Sequence, residues 1–333
     1  MIPLLRPHRS VARPLLVLCG LLAVGAHGSA AENKSPPAEV RVGAYVNALS
    51  DLNSTNNTFI ADFWIWAVHP RTADLRPLKT AEFENARDYR LSLETTEDYG
   101  TERYHAAKIR GVFNHAWDVR NFPYDRHQLT IALSEAQLED DRVRYVVDAA
   151  NTTFDPALVI EGWRIEKVGI TTGTNAYQSN FGVPGKVGGS RYATTTLSIF
   201  IRREAGGLFL KLHAAVYIIF IVSLVTFLMD SSKDGFFSAR IGLISGMILA
   251  TVVNSHRVAA TLGGNNRLTL PDKIHIVTLL VLLIALLVSL ATRRLHALGK
   301  SPQAQLLDRV AAPVCLVAYV AINLALVQIA RAS

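Results

Sequence analysis

The residues with chemical potential in this chain are few, and the most telling ones interrupt an apolar run. Between positions 236 and 255 stand Arg240, Gly242, Ser245, Gly246, Thr251 and Asn254. An ionisable group at membrane depth usually faces a protein interior or water, not lipid. At helical spacing Gly242, Gly246, Leu249, Val253 and His256 share one face. Copies of that face around an axis would form a wall that is narrow and water-compatible at the glycines and apolar at Leu249 and Val253. Gly242-x-x-x-Gly246 also suits plain close packing of two helices, and both readings stand at this point. His127, His213, His256 and His275 are able to titrate near neutral pH, although most such histidines are structural. The sequence offers no Gly-rich phosphate loop, zinc-type His/Cys spacing or nucleophile elbow, so it suggests no enzyme, no metal and no other cofactor.

These residues need elements to hold them. Half of the 333 residues are hydrophobic, and the long apolar runs all follow Gly206-Gly207. Two domains of different solvent preference are expected. Net charge is +7, yet Lys and Arg are scattered and flank apolar runs, which argues against a nucleic-acid stripe. Arg6, Arg9 and Arg13 precede an apolar stretch over 15–26, and Gly28-Ser29-Ala30 supplies small residues for cleavage. Residues 1–30 therefore read as a secretory signal, too short to span a bilayer comfortably. Cys19 lies in that signal and Cys315 in the last apolar run, so the exported part has no disulfide.

From 38 to 204 the pattern is period-two, as in Leu129, Ile131 and Leu133, and polar turns such as Gly182-Val183-Pro184-Gly185 break it. An antiparallel β-sandwich is expected there. Over 205–333 four apolar segments, 208–229, 236–255, 274–291 and 310–330, approach the roughly 20 residues a helix needs to cross hydrocarbon. With a cleaved signal the first domain lies outside the cytoplasm. Four spans then put Arg293, Arg294, Lys300 and Arg309 on the cytoplasmic side, in or beside a linker over roughly 292–308, as the positive-inside tendency asks. Arg257, Arg267 and Lys273 fall on the other side. A multi-pass protein of the cell membrane, by preference a bacterial inner membrane, is expected.

The segment Trp117-Asp118-Val119-Arg120-Asn121-Phe122-Pro123-Tyr124-Asp125-Arg126-His127-Gln128-Leu129 resembles the Phe-Pro-Phe-Asp-x-Gln loop of the pentameric ligand-gated ion channels, or Cys-loop receptors. His115 and Leu129 stand where the loop's cysteines would be, as in prokaryotic members without the disulfide, and His127 replaces the usual Gln. Ser238-Ala239-Arg240-Ile241-Gly242-Leu243 resembles the Pro-Ala-Arg-Val-Gly-Leu start of the pore helix in glycine and GABA receptors. The resemblance covers nearly all of the chain after the signal. It implies an all-β extracellular, immunoglobulin-like sandwich followed by an all-α four-helix transmembrane domain, assembled as a homopentamer. It also implies a small ligand, such as a cationic amine, and inorganic ions as permeants. Two features depart from the family: no proline lies within 208–229, where Ala215 holds the usual position, and the linker 229–237 is longer. Lys211 and His213 are expected to snorkel toward the interface.

Carried over residue by residue, the resemblance puts Trp64 on the strand facing the neighbouring subunit. Glu82 and Phe83 fall in the first ligand loop, Glu135 in the second, and Tyr177, Phe181 and Tyr192 in the capping loop. The plainer alternative makes Trp64 and Trp66 sandwich core. Arg240, Gly242, Gly246, Leu249, Val253 and His256 would line the pore, with Leu249 on the central hydrophobic ring. Phe122, Pro123, Tyr124 and Asp125 would press on the membrane helices, with Arg203 free to bridge Asp125. Cation-selective members carry Glu where Ala239 stands, so anion preference is expected unless Arg240 turns away to pair with Asp230 or Asp234. A non-conducting receptor or scaffold and a proton-gated channel are the alternatives.

Overall fold

The computed structural model describes residues 36–262 and 267–332, so the expected signal lies outside the described residues. Period-two patterning becomes ten strands: β1 (Ala38–Asn53), β2 (Thr58–Pro70), β3 (Ala81–Phe83), β4 (Ala86–Tyr99), β5 (Glu102–Asn114), β6 (Arg126–Glu139), β7 (Val143–Val147), β8 (Thr153–Phe154), β9 (Trp163–Tyr177) and β10 (Ser190–Arg203). A one-turn helix, α1 (Pro77–Thr80), precedes β3. One sheet runs β4-β5-β2-β1-β7 with β8 on β1, and the other runs β3-β6-β10-β9.

Alternation decides which side of each strand faces in. Along β2, Phe59, Ala61, Phe63, Ile65 and Ala67 are buried, whereas Trp64 and Trp66 are half-exposed on the outer face. The reading of both tryptophans as core is thereby corrected. Gly43 makes room for the Trp66 ring, because a Cβ there would sit 2.4 Å from it. Leu129, Ile131 and Leu133 of β6 and Leu197, Ile199 and Ile201 of β10 close the core from the second sheet. Phe63, Phe83 and Phe113 meet at its centre with ring centroids 6.0–6.1 Å apart.

Four helices follow: α2 (Gly206–Thr226), α3 (Asp234–Thr261), α4 (Leu270–Ala297) and α5 (Ser301–Ala332). Each is long and apolar enough to cross a membrane. They outrun the apolar segments, because polar residues such as Arg294 and Gln303 extend a helix well beyond hydrocarbon. The expected linker over 292–308 shrinks to 298–300, with Gly299 taking the left-handed conformation at φ 73° that ends α4. Pro271 and a reciprocal cap start α4: Asp272 accepts from the Thr269 amide at 2.9 Å, and Thr269 accepts from the Asp272 amide. α2 runs unbroken without proline.

α4 packs against each of the other three helices, with Phe220 of α2 stacked on Tyr319 of α5 at 3.7 Å and the Tyr319 and Thr278 hydroxyls 2.9 Å apart. His213 does not snorkel. Its side chain is buried, with Nδ1 2.9 Å from the Phe209 carbonyl and the ring between Phe209 and Tyr217. At the end remote from the sheets, Arg240 is fully buried and donates to Asp308 of α5 at 2.8 Å, with its guanidinium over Phe227. Arg293 of α4 ties down the α2–α3 linker by donating to the Ser231 and Ser232 carbonyls and pairing with Asp234.

Removing one member of a buried ion pair leaves a charge without an answer. Asp308→Ala is therefore expected to cost about 3–5 kcal/mol, read as a lowered unfolding temperature in detergent. Pairing Arg240→Met with Asp308→Leu should recover most of that loss.

Candidate functional site

Three groups of residues bear on function, beginning with an aromatic patch on the outer face of the second sheet. Tyr192 lies on β10 at an even position, pointing away from the core, and Tyr177 ends β9. The connection between them is shaped by Asn180, whose side chain accepts from the Gly182 amide at 3.0 Å and donates to the Lys186 carbonyl at 2.8 Å. That turn presents Phe181 outward at φ 53°, a conformation that costs an aromatic residue energy and so needs the surrounding bonds to hold it. Tyr177, Phe181 and Tyr192 have ring centroids 5.2–6.2 Å apart. Glu84 accepts from the Tyr177 hydroxyl at 3.3 Å and from Asn175. Burial first, then the Glu84 and Glu82 charges, push the Tyr177 phenol above its usual pKa. Three rings with two carboxylates beside them suit a cationic group, since ring faces attract positive charge.

Not every expected ligand residue joins this patch. Glu82 is exposed beside it, but Phe83 turns into the core against Phe63, Tyr89 and Phe113, which corrects its assignment. Glu135 is also corrected. It is buried, accepting from Thr80 Oγ1 at 2.7 Å, the Tyr145 hydroxyl at 3.3 Å and the Gln137 amide at 3.0 Å. Glu84 was missed, although the alternation Glu82-Phe83-Glu84 already puts both carboxylates on the side opposite Phe83. Trp64 lies on the outer face of the other sheet, beside Tyr45 and Lys108 in register. In one chain the whole core separates it from Tyr192.

The second group sits where sheets and helices meet. Asp125 is 3% exposed and receives Arg203 at 2.7 and 3.0 Å and His127 Nε2 at 2.9 Å. Burial alone would raise its pKa, but the bonds from His127 and Arg203 outweigh burial and hold it below the ordinary carboxylate value. The Arg203 guanidinium lies over Trp163 at 3.9 Å and over Phe122 at 4.7 Å. Phe122-Pro123 is a cis bond at the tip of the loop. Tyr124 reaches Phe209 of α2 at 5.8 Å and accepts from Arg331 of α5 at 3.3 Å, while the Arg120 carbonyl accepts from the Leu270 amide at 2.9 Å. Behind the loop, His115 packs edge-on against Trp117 at 4.7 Å and His127 at 5.5 Å. Burial pushes its imidazole down to about 4, with His127 adding to the effect.

The third group is the free face of α3. Gly242, Gly246, Leu249, Val253 and His256 are all exposed in the single chain, whereas Ile244, Met247 and Thr251 face the other helices. A Cβ at either glycine would meet nothing within 4 Å, so Gly242-x-x-x-Gly246 makes no close helix contact inside this chain. Arg240 does not belong to that face. The guanidinium turns inward to the partly buried Asp308 of α5, not to the exposed Asp230 or Asp234, because a carboxylate shielded from water offers a stronger bond.

One further imidazole pair is fully accounted for. His69 Nδ1 donates to the Pro70 carbonyl at 2.9 Å, so its Nε2 accepts from His105 Nε2 at 3.1 Å, and His105 Nδ1 faces the Thr96 hydroxyl at 2.9 Å. Among the described residues no group of three or more His, Cys, Asp or Glu is placed to hold a metal ion. No protein-family model and no curated protein sequence matches the chain.

The low His115 value carries a sign. Its folded pKa lies below the unfolded one, so its neutral form favours folding above about pH 6.5 and the penalty for charging it grows as pH falls toward 4. At most about 3 kcal/mol is at stake, from about 1.4 kcal/mol per pH unit. Unfolding temperature followed by tryptophan fluorescence should fall over that window, and His115→Phe should flatten the slope. A second expectation concerns the aromatic patch. Affinity for tetramethylammonium should drop about tenfold in Tyr192→Ala, with the chain still eluting as the parent does in size-exclusion chromatography.

Proposed function

We propose that the chain is one subunit of a pentameric ligand-gated ion channel, with an immunoglobulin-like extracellular sandwich and a pore lined by α3. The observation that carries this reading is the unpartnered α3 face. A helix that met only lipid there would gain from uniform apolar residues, whereas this face alternates glycine, Leu249, Val253 and His256. Around an axis the glycines leave a water-compatible width, and the leucine and valine rings disfavour water and block ions by dewetting. The Phe122-Pro123-Tyr124-Asp125 loop, seated on α2, α4 and α5, supports the same reading because it sits where motion of the sheets would reach the helices. Trp64 and Tyr192 lie on outer faces of different sheets, so a ligand box using both needs two adjacent copies.

With Arg240 buried against Asp308, no ring of guanidinium charge faces the mouth. Anion preference then rests on Ala239 alone: it is exposed one residue earlier, and no carboxylate ring stands at that level. Ala239→Glu would supply one.

Reconstituted in liposomes, Leu249→Ser is expected to hydrate the ring and raise resting ion flux or ligand sensitivity. Reversal potentials should follow the chloride gradient and move toward the cation value in Ala239→Glu. Flux from Leu249→Ser equal to the parent would sink the pore assignment. Retained ligand binding with no flux at all would indicate a receptor that does not conduct.

A further inference from the structure

Between β9 and β10 the aromatic patch carries a cation of its own. Lys186 Nζ donates to the buried Ser190 Oγ at 2.7 Å and pairs with the carboxylate of Glu139, the last residue of β6. Register fixes where those partners stand. Ser190 lies opposite Tyr177, and Tyr192 lies between Glu139 on one edge and Asn175 on the other. Residues directly opposite one another in an antiparallel pair project from the same side of the sheet. Glu139 and Ser190 therefore share the face of Tyr177 and Tyr192, and the Lys186 ammonium is held between the register partners of both rings.

Three carboxylates then stand at this face, and their charges are met unequally. Glu82 is exposed, and Glu84 accepts from Asn175 and the Tyr177 hydroxyl, both neutral donors. Of the three, Glu139 alone has an ion pair among the described residues. That pair is partly shielded, with 20% of the Lys186 side chain exposed. The Lys186 main chain is fixed as well: its carbonyl accepts from Asn180 at 2.8 Å and its amide donates to the Val183 carbonyl at 3.2 Å. Asn180 also accepts from the Gly182 amide, so Lys186 and Phe181 belong to one turn. Arg191 on Asp140 at 2.8 Å ties the start of β10 to the corner after β6 independently of Lys186.

We propose that Lys186 is a tethered competitor at the patch: its ammonium cancels the Glu139 charge that a bound cation would otherwise use. The proposal rests on the reading of the patch as a cation site. It adds Glu139 to the carboxylates that serve a ligand and makes Lys186 the residue that limits affinity. A ligand ammonium and the Lys186 ammonium are alike in charge and size, so Glu139 exchanges one for the other without being left unpaired. Because Lys186 and Phe181 share one turn, release of the lysine also frees the ring that the turn presents.

Calorimetric titration of the full chain in detergent with tetramethylammonium tests it. Lys186→Gln and Lys186→Ala should each bind the probe about fivefold more tightly than the parent, because one carboxylate charge near the rings is uncovered. Lys186→Arg keeps the positive charge and should bind as the parent does. In a Glu139→Gln background there is no charge to uncover, so adding Lys186→Gln should leave the affinity unchanged. Parent-like elution in size-exclusion chromatography checks that the variants fold. Unchanged or weaker binding in both uncharged variants, or the same gain in the Glu139→Gln background, overturns the proposal. Absence of binding in the parent and in both uncharged variants removes the cation-site reading, and this proposal with it.

Discussion

A carboxylate cut off from water must have its charge answered on the spot, or the cost is several kcal/mol. Asp125 is in that position, and the junction is built from what answers it. Arg203 reaches it from the last residue of β10 and His127 from the start of β6, so the two central strands of one sheet are tied to the loop. The Arg203 amide also donates to the Asp125 carbonyl at 3.1 Å. Because Arg203 is held, the chain must leave β10 in one direction, and α2 begins three residues later. Because the loop is held, Tyr124 is delivered to α2 and α5 and Arg120 to the start of α4. A depressed pKa keeps the charge present down to acid pH, and the tie loosens only as pH falls through that lowered value.

The helices repeat the device at their other end. Arg240 and Asp308 join α3 to α5, and Arg293 holds the α2–α3 linker. Between the two ends the helices rely on packing, such as Phe220 on Tyr319, and on hydrogen bonds between Thr278 and Tyr319 and between Asn254 and His275, each 2.9 Å. Dispersion contacts are individually small and tolerate sliding, whereas a buried ion pair has one good geometry. α3 is thus held by the ion pair at its Arg240 end and by Asn254 on His275 farther along, and the face between them is left without a partner in the chain.

Much of this was legible in the sequence, for reasons that differ by element. Leu129, Ile131 and Leu133 announce an inward strand face because the side-chain period is two. The helices are visible because crossing hydrocarbon demands long apolar runs, although such runs mark the hydrocarbon and not the helix, so Arg293 and Arg309, expected in a linker, lie on α4 and α5. The failures share a cause. Phe83, Glu135 and Arg240 take their expected roles from the resemblance, while their real surroundings come from groups distant in sequence: Phe113, Thr80 with Tyr145, and Asp308. Local pattern names the side a residue faces, and only tertiary packing names its partner.

The aromatic patch and the junction lie on one strand. β10 runs from Ser190 to Arg203, bonded to β6 on one edge and to β9 on the other, with Tyr192 near its start and Arg203 at its end. Eleven residues at about 3.3 Å each put the two roughly 36 Å apart. A strand bonded on both edges cannot stretch, so it transmits displacement along its length instead of absorbing it. The register irregularity against β9 at Phe200–Ile201 falls close to Arg203, and a bulge re-aims a strand without lengthening it. In the pentamer proposed above, a cation drawn between Tyr192 and the Trp64 face of a neighbouring copy would pull on the same strand that carries Arg203. In the channel proposed above, that pull would pass through the Arg203–Asp125 pair to the loop seated on α2, α4 and α5.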